Sequence, residues 1–269
     1  MTKPIFTGVC TALVTPFLEN RLNTPMLRQL IRRQELAGVD ALVICGTTGE
    51  SAALTDGEKL ELFRVSREAI PEELPFIAGT GSNNTSHAIA LGQAAQELGA
   101  DALLVVSPYY NKATEDGLYR HYRCIAEAVS IPLILYNVPS RTGLDIPVSV
   151  YKKLAEIPNI VGVKEASSDI RKIAWIRQQC PRDFSVWCGN DDLAVPALSL
   201  GAAGLISVVS NVEPELTQAM VKAALDGDFD TASDLQCRLL PLMQALFREV
   251  NPVPVKEALK LIGLDCGSC

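Results

Sequence analysis

The fold is indicated by a sequence pattern that occurs three times with variations. Its clearest copy is Leu98-Gly99-Ala100-Asp101-Ala102-Leu103-Leu104-Val105-Val106. The other two copies of the pattern lie at residues 37–44 and 200–208. Each reads as a helix that ends at a glycine, followed by a short turn and a continuously apolar strand. Because continuously apolar strands are buried on both faces, this pattern predicts a parallel sheet that is covered by helices.

Other short aliphatic or β-branched runs bring the predicted strands to eight, near residues 5–14, 41–46, 76–79, 102–107, 132–136, 160–164, 184–188 and 204–208. Helical patterns separate them: one helix starts at Thr24-Pro25, and a capping box from Thr55 to Glu58 starts another. Eight β/α units in 269 residues predict a closed (β/α)₈ barrel of the α/β class. An open doubly wound sheet is the alternative, but no G-x-G-x-x-G fingerprint follows the first strand.

Three more helical patterns follow the last predicted strand, near residues 214–226, 228–248 and 253–263. They predict a helical bundle appended to the barrel. Since no linker composition interrupts the chain, we expect a single domain over residues 1–269, with the barrel at about 1–212 and the C-terminal helices at about 213–269.

The composition is that of a folded soluble protein, with 48% hydrophobic and 20% charged residues. A net charge of -7 without a Lys/Arg run argues against nucleic acid or an anionic membrane as partner. The 8 cysteines are mostly far apart, which favours buried thiols in a reducing cytoplasm. Only Cys266 and Cys269 form a C-x-x-C pair, and with 2 histidines in the chain we expect no metal centre and no cofactor.

The uncharged residues 193–212 are numerous enough to suggest a membrane span. Proline and glycine interrupt the run, so we interpret it as helix, turn and strand.

Active sites of such barrels form at the carboxyl ends of the strands, and polar side chains are concentrated there. The strand ends carry the segments Gly46–Ser51, Ser107–Asn111, Tyr136–Gly143, Lys164-Glu165, Gly189-Asn190 and Ile206-Ser207. Their coincidence on one rim is more informative than any one of them alone.

Lys164 is the most informative single residue, because it ends the apolar run 160–163. At the mouth of a barrel, partial desolvation disfavours an ammonium ion and favours a nucleophilic amine. The alternative is a lysine that extends to water or pairs with Glu165.

The neighbouring segments each allow a functional and a structural interpretation. Tyr136 can transfer protons or fill the barrel, and the loop 46–49 can bind a carboxylate or be an ordinary βα turn. Arg141 can bind a second carboxylate or remain a solvated cation. Tyr109 and Tyr110 can be core or subunit-contact aromatics.

Taken together, these segments resemble the dihydrodipicolinate synthase family of the N-acetylneuraminate lyase superfamily, over essentially the whole chain. The resemblance rests on six motifs, namely residues 46–51, 107–111, 136–143, 161–166, 204–208 and Asn251-Pro252-Val253-Pro254-Val255-Lys256. It implies a Schiff-base lyase that condenses pyruvate with aspartate 4-semialdehyde, on the route to diaminopimelate and lysine.

The resemblance also implies a role for particular residues. Lys164 would form the imine with pyruvate, and Tyr136, Thr47 and Tyr110 would relay protons, with Tyr110 supplied by a neighbouring subunit of a homotetramer built from tight dimers. The substrate-binding positions would be Thr48 for the pyruvate carboxylate, Arg141 for the semialdehyde carboxylate, and the backbone of Gly189 and Ile206.

Two alternatives are a sugar-acid aldolase with the same lysine chemistry and a catalytically silent barrel that binds small acids. Sister enzymes usually read Gly-Ser-Thr-Gly at the carboxylate loop and lack the arginine, so Thr47 and Arg141 favour the synthase.

The resemblance further implies that positions used for lysine inhibition in the family match Ser51, Ala52, Asp56, Lys59, Asn83, His87 and Tyr109. Inhibited bacterial members typically carry His at the positions of Asp56 and Lys59 and Glu at that of His87. We therefore expect weak or no inhibition by lysine.

Overall fold

The computed structural model describes residues 4–269, so the first three positions of the predicted domain lie outside the described residues. The strands are β1 (Gly8–Ala12), β2 (Phe17–Leu18), β3 (Arg21–Leu22), β4 (Ala41–Ile44), β5 (Phe76–Gly79), β6 (Ala102–Val106), β7 (Leu133–Asn137), β8 (Ile160–Glu165), β9 (Ser185–Cys188) and β10 (Gly204–Ser207). The helices are α1 (Thr24–Leu36), α2 (Asp56–Ala69), α3 (Thr85–Glu97), α4 (Glu115–Ala128), α5 (Pro139–Thr142), α6 (Val148–Leu154), α7 (Arg171–Gln179), α8 (Ala194–Ser199), α9 (Pro214–Leu225), α10 (Phe229–Leu246) and α11 (Val253–Leu261).

Eight parallel strands close the barrel in the order β1-β10-β9-β8-β7-β6-β5-β4. Each predicted strand is present, and the three predicted C-terminal helices are α9, α10 and α11. The prediction of a (β/α)₈ barrel with appended helices is therefore confirmed. The single-domain boundary over 1–269 stays a prediction.

The barrel strands are buried on both faces, as continuously apolar strands require. Alternate residues fill the barrel interior, where Phe6 stacks on Trp187 with ring centroids 5.1 Å apart. The remaining strand residues form a second apolar layer against the helices. Active-site side chains can therefore project only from the last positions of each strand and from the loops beyond.

Local signals account for several helix starts. Thr55 caps α2 in the predicted capping box, because its hydroxyl accepts from the Glu58 N–H while the Glu58 carboxylate accepts from the Thr55 N–H. Helix α1 starts at Thr24, with Pro25 in its first turn. In the described part of the chain no helix is long and apolar enough to cross a membrane.

Two small elements of the structure are not predicted by the sequence patterns. The antiparallel pair β2 and β3 turns through Glu19 and Asn20, both with positive φ, where no glycine marks a hairpin. Helix α5 is a single turn within the segment after β7. Of the six widely spaced cysteines that we expected to be buried, Cys10, Cys45, Cys180 and Cys188 are buried, whereas Cys124 and Cys237 are exposed.

Candidate active site

Strand β8 directs Lys164 into the barrel mouth. Side chains alternate along a strand, so Lys164 faces the interior whereas Val163 and Glu165 face the helices. Lys164 is 5% exposed, and its Nζ lies 4.4 Å from the centroid of the Tyr136 ring. Tyr136 is the cross-strand partner of Lys164 on β7, which explains why the two side chains meet.

Lys164 differs from the other buried lysines in its electrostatic surroundings. Within residues 4–269, the buried lysines are Lys59, Lys164, Lys172 and Lys256. Three of them have a carboxylate oxygen within 4.0 Å of Nζ, and Lys164 has none. Among the buried lysines of the described chain, Lys164 alone is therefore not held in an ion pair, so its Nζ is available to a substrate.

The structure rules out the alternative that Lys164 pairs with Glu165. Glu165 lies on the opposite face of β8, where it accepts hydrogen bonds from the Asn137 amide at 3.0 Å and the Tyr151 hydroxyl at 3.2 Å. Lys172 lies 3.9 Å from Glu165 and forms an ion pair with Asp145. These contacts balance the buried carboxylate without Lys164.

The loop after β4 presents two threonines at the barrel mouth. Two turn hydrogen bonds close it, from the Gly49 N–H to the Gly46 oxygen at 3.1 Å and from the Glu50 N–H to the Thr47 oxygen at 3.0 Å. The Thr15 hydroxyl also donates to the Gly49 oxygen at 2.7 Å. Thr47 is half-buried and Thr48 is buried. The loop thus offers hydroxyl and backbone N–H groups, which suit a carboxylate.

A cavity of about 860 Å³ opens above the barrel mouth. Four of the predicted site residues border it: Thr47, Tyr110, Tyr136 and Arg141. Thr48, Lys164, Gly189 and Ile206 are not among its lining residues. Because the Tyr136 ring borders the cavity and contacts Lys164, the amine lies one side chain behind the cavity wall.

Gly189 and Ile206 lie close to Lys164 and its neighbours. A Cβ at Gly189 would lie 3.0 Å from the Lys164 Cε and 2.7 Å from the Ala166 Cβ, so only glycine leaves room for the lysine. Ile206 is fully buried in the interior cluster that includes Tyr136. Both residues therefore help to shape the space around the amine.

In contrast to the buried Lys164 and Ile206, Tyr110 and Arg141 are exposed to solvent. Tyr110 is 88% exposed and has a positive φ of 75°, an uncommon backbone conformation for an aromatic residue. Arg141 is an exposed residue of α5. Both are free to approach a ligand that enters from outside.

Sequence reasoning assigned no role to Asn251, although it lies in one of the quoted motifs. Asn251 borders the cavity, and its Nδ2 donates to the Thr48 hydroxyl at 2.9 Å. Asp191 was also missed: it is 2% exposed and accepts from the Ser207 hydroxyl at 2.5 Å. Burial raises the pKa of the Asp191 carboxyl, while hydrogen bonds from the Ser207 hydroxyl and from the Val208 and Val209 N–H groups oppose that shift.

The outer end of the same cavity is charged. His87 Nε2 lies 3.0 Å from both carboxylate oxygens of Asp56, and Lys59 Nζ lies 3.6 Å from one of them. The hydrogen bond with His87 lowers the pKa of the Asp56 carboxyl. In the described chain, no group of three or more His, Cys, Asp or Glu residues could hold a metal ion.

This combination defines a class of protein: (β/α)₈ barrel enzymes with a buried lysine at a strand end, beside a tyrosine and a hydroxyl-bearing loop. The model of the Dihydrodipicolinate synthetase family matches residues 5–269. The chain belongs to that family.

Individual relatives agree with this assignment. The 4-hydroxy-tetrahydrodipicolinate synthase of Acetivibrio thermocellus is 48% identical over 269 residues, which are 100% of this chain and 91% of the relative. The crystal structure of dihydrodipicolinate synthase from Aquifex aeolicus is similar with a TM-score of 0.95 and 43% identity, covering 96% of this chain and 89% of the other. The enzyme from Acinetobacter baumannii, complexed with pyruvate, has a TM-score of 0.94 and 41% identity, with the same two coverages.

Proposed function

We propose that the chain is a 4-hydroxy-tetrahydrodipicolinate synthase, a lyase that condenses pyruvate with aspartate 4-semialdehyde in the diaminopimelate and lysine pathway. Family membership supports the activity, and the pyruvate complex of the Acinetobacter baumannii relative supports the first substrate. The observation that carries the proposal is Lys164, a lysine buried at the barrel mouth without a carboxylate within 4.0 Å in the described chain.

The chemistry requires one amine and several proton transfers. The neutral Lys164 amine adds to the pyruvate ketone, and loss of water gives the imine. Loss of a methyl proton gives the enamine, whose carbon attacks the aldehyde of the second substrate. The amino group of that substrate then displaces Lys164 from the imine carbon, which closes the ring. No cofactor is needed, because the imine itself stabilises the carbanion.

The remaining site residues receive roles within this scheme. Tyr136 is the first proton carrier; its ring lies beside the Lys164 amine, and its phenol can donate and accept a proton. Thr47 and Tyr110 extend the proton relay from the cavity wall. The Thr48 loop binds the pyruvate carboxylate, and Arg141 binds the carboxylate of the semialdehyde. Gly189 and Ile206 contribute backbone next to the substrate.

Reductive trapping tests the proposal directly. The protein is incubated with pyruvate and borohydride and its intact mass is measured. We expect one covalent adduct per chain, and its absence would favour a silent acid-binding barrel. Turnover of pyruvate with a sugar acid, but not with aspartate 4-semialdehyde, would instead favour the aldolase.

The proposal includes assembly into homotetramers of tight dimers in the cytoplasm. The exposure of Tyr110 supports a role across a subunit contact, and the free state of all eight cysteines fits a reducing compartment. Mixing Tyr110→Phe with Lys164→Ala subunits should restore activity, because one site of each mixed dimer regains both groups. No rescue despite demonstrated subunit exchange would overturn the shared site.

A further inference from the structure

Asn251 links the C-terminal segment to the substrate loop. The residue lies between α10 and α11, is 5% exposed, and donates its Nδ2 to the Thr48 hydroxyl across 203 residues of sequence. Its Oδ1 is buried and has no hydrogen-bond partner among residues 4–269. Buried amide oxygens are normally paired, so an amide that served only to join two segments would be expected to use both ends.

The loop that Asn251 contacts has an unfavourable backbone. Cys45 and Glu50 flank it with positive φ values of 57° and 59°, in a region where residues other than glycine are strained. Such conformations persist only where surrounding contacts hold them, and they are common at ligand sites. The loop therefore needs partners outside itself.

Helix α11 supplies a second contact to the same loop. Lys256 Nζ lies 2.5 Å from the Glu50 Oε1; Lys256 is buried and Glu50 is half-buried. Asn251 and Lys256 thus reach the loop from one segment of the C-terminal region, one at its middle and one at its end. The Asn251 contact is the one at a predicted substrate-binding residue.

We propose that Asn251 is a positioning residue for the first substrate: its amide fixes the Thr48 hydroxyl so that the loop presents its donors to the substrate carboxylate. The inference rests on the proposed function, because that function assigns Thr48 to pyruvate. The hydrogen bond at 2.9 Å orients the Thr48 hydroxyl, Asn251 borders the cavity, and its buried Oδ1 forms no hydrogen bond with the described residues.

A double-mutant cycle separates positioning from a merely structural role. Asn251→Ala should raise the KM for pyruvate about tenfold, because a buried hydroxyl loses its partner. The KM for aspartate 4-semialdehyde should change much less, and saturating pyruvate should still give the trapped adduct. In a Thr48→Val background, Asn251→Ala should have no further effect on the pyruvate KM.

Asn159→Ala is the matched control. Its amide donates to the Ala126 and Val129 oxygens at 2.8 and 3.1 Å, and it is not among the residues that line the cavity. We expect this variant to lose thermal stability without a change in the pyruvate KM. Should Asn251→Ala not fold, Asn251→Asp keeps the shape, and its negative charge should raise the pyruvate KM by at least as much.

Three outcomes distinguish the inferences. Independent effects of Asn251 and Thr48 on the pyruvate KM, or no effect of either Asn251 variant, would overturn the positioning role while trapping in the unmodified protein upholds the proposed function. No trapping in the unmodified protein would overturn both.

Discussion

One buried lysine lies on the inner face of strand β8 and a second lies beyond its outer face, and only the second is paired with carboxylates. On the inner face, Lys164 contacts the Tyr136 ring and has no carboxylate partner among the described residues. Beyond the outer face, Lys172 of α7 pairs with Asp145 and lies 3.9 Å from Glu165. Since consecutive residues of a strand face opposite sides, β8 itself keeps the Glu165 carboxylate away from the Lys164 amine.

This difference shows how one fold can use the same residue type for chemistry and for structure. A buried lysine in an ion pair contributes to the stability of the fold as long as its partners are present. A buried lysine without such a partner leaves its amine available to a substrate.

The largest expected effect is the loss of imine formation in Lys164→Ala. The variant should give no borohydride-trapped pyruvate adduct, because it lacks the only buried amine that is free of a carboxylate in the described chain. Lys172→Met is the matched control and should still be trapped. Peptide mapping of the adduct to another lysine would show that the inner face is not the reactive one.

Arg141→Ala should affect the second substrate rather than the first. Removal of a guanidinium from a substrate carboxylate costs about 2–5 kcal/mol of transition-state binding. We expect a large fall in kcat/KM for aspartate 4-semialdehyde, with imine formation from pyruvate little changed. Equal damage to both half-reactions would indicate that Arg141 has a structural role.

Lys172→Met should affect stability rather than chemistry. It leaves Glu165 buried with fewer partners, and breaking a buried ion pair costs about 3–5 kcal/mol of unfolding free energy. We expect a loss of about 3 kcal/mol, because Asp145 can be solvated and Asn137 and Tyr151 still donate to Glu165. Chemical denaturation measures this, with the exposed Lys152→Met as the control. An unchanged unfolding free energy would contradict the structural role of Lys172.

The barrel could be predicted because its signals are local and repeated. Apolar strands and helix-ending glycines recur along the chain, and the capping box at Thr55 marks a helix start without tertiary information. The β2–β3 hairpin could not be predicted, since Glu19 and Asn20 adopt positive φ without the glycine that usually signals it.

The site was predictable where strands determine it. Lys164 and Tyr136 end adjacent strands, so their proximity follows from the order of the barrel. Asn251 approaches Thr48 only through the packing of the C-terminal helices, which no spacing in the sequence reveals. The pairing of Lys172 with Asp145 depends in the same way on how α7 packs beside the segment after β7.

A buried histidine tests the effect of missing partners away from the cavity. His121 of α4 is 6% exposed; its Nδ1 lies 2.9 Å from the Thr85 hydroxyl, and its Nε2 has no hydrogen-bond partner among the described residues. Burial lowers the pKa of His121 from 6.5 to about 4. Between these values the unfolded chain binds more protons, so stability is full above pH 6.5 and falls as the pH approaches 4.

The expected size is about 2 kcal/mol of unfolding free energy lost between pH 7 and pH 5 on account of His121. His121→Gln cannot bind this proton and should show a smaller decrease over the same range. Urea denaturation at the two pH values measures the difference. Identical decreases in both proteins would mean that His121 is charged in the folded state.

The smallest expected effect is inhibition by lysine at the outer end of the cavity. The resemblance implies that family members inhibited by lysine bind it at positions matching Asp56, Lys59 and His87. Here the Asp56 carboxylate is already engaged by His87 at 3.0 Å and Lys59 at 3.6 Å. An incoming ammonium group would meet a fixed cation and compete for an occupied carboxylate, at a cost of about 1–4 kcal/mol, or about one to three decades of affinity.

Initial rates titrated with lysine should therefore show weak or no inhibition. Lys59→Gln removes the opposing charge and leaves His87 as the remaining partner of the Asp56 carboxylate, so inhibition should become stronger in that variant than in the unmodified protein. Half-inhibition at submillimolar lysine in the unmodified protein would mean that Asp56 binds the ligand despite its two partners. The outer end of the cavity would then resemble the inner face of β8, where a polar side chain remains available to a ligand, rather than the ion pair of Lys172 with Asp145.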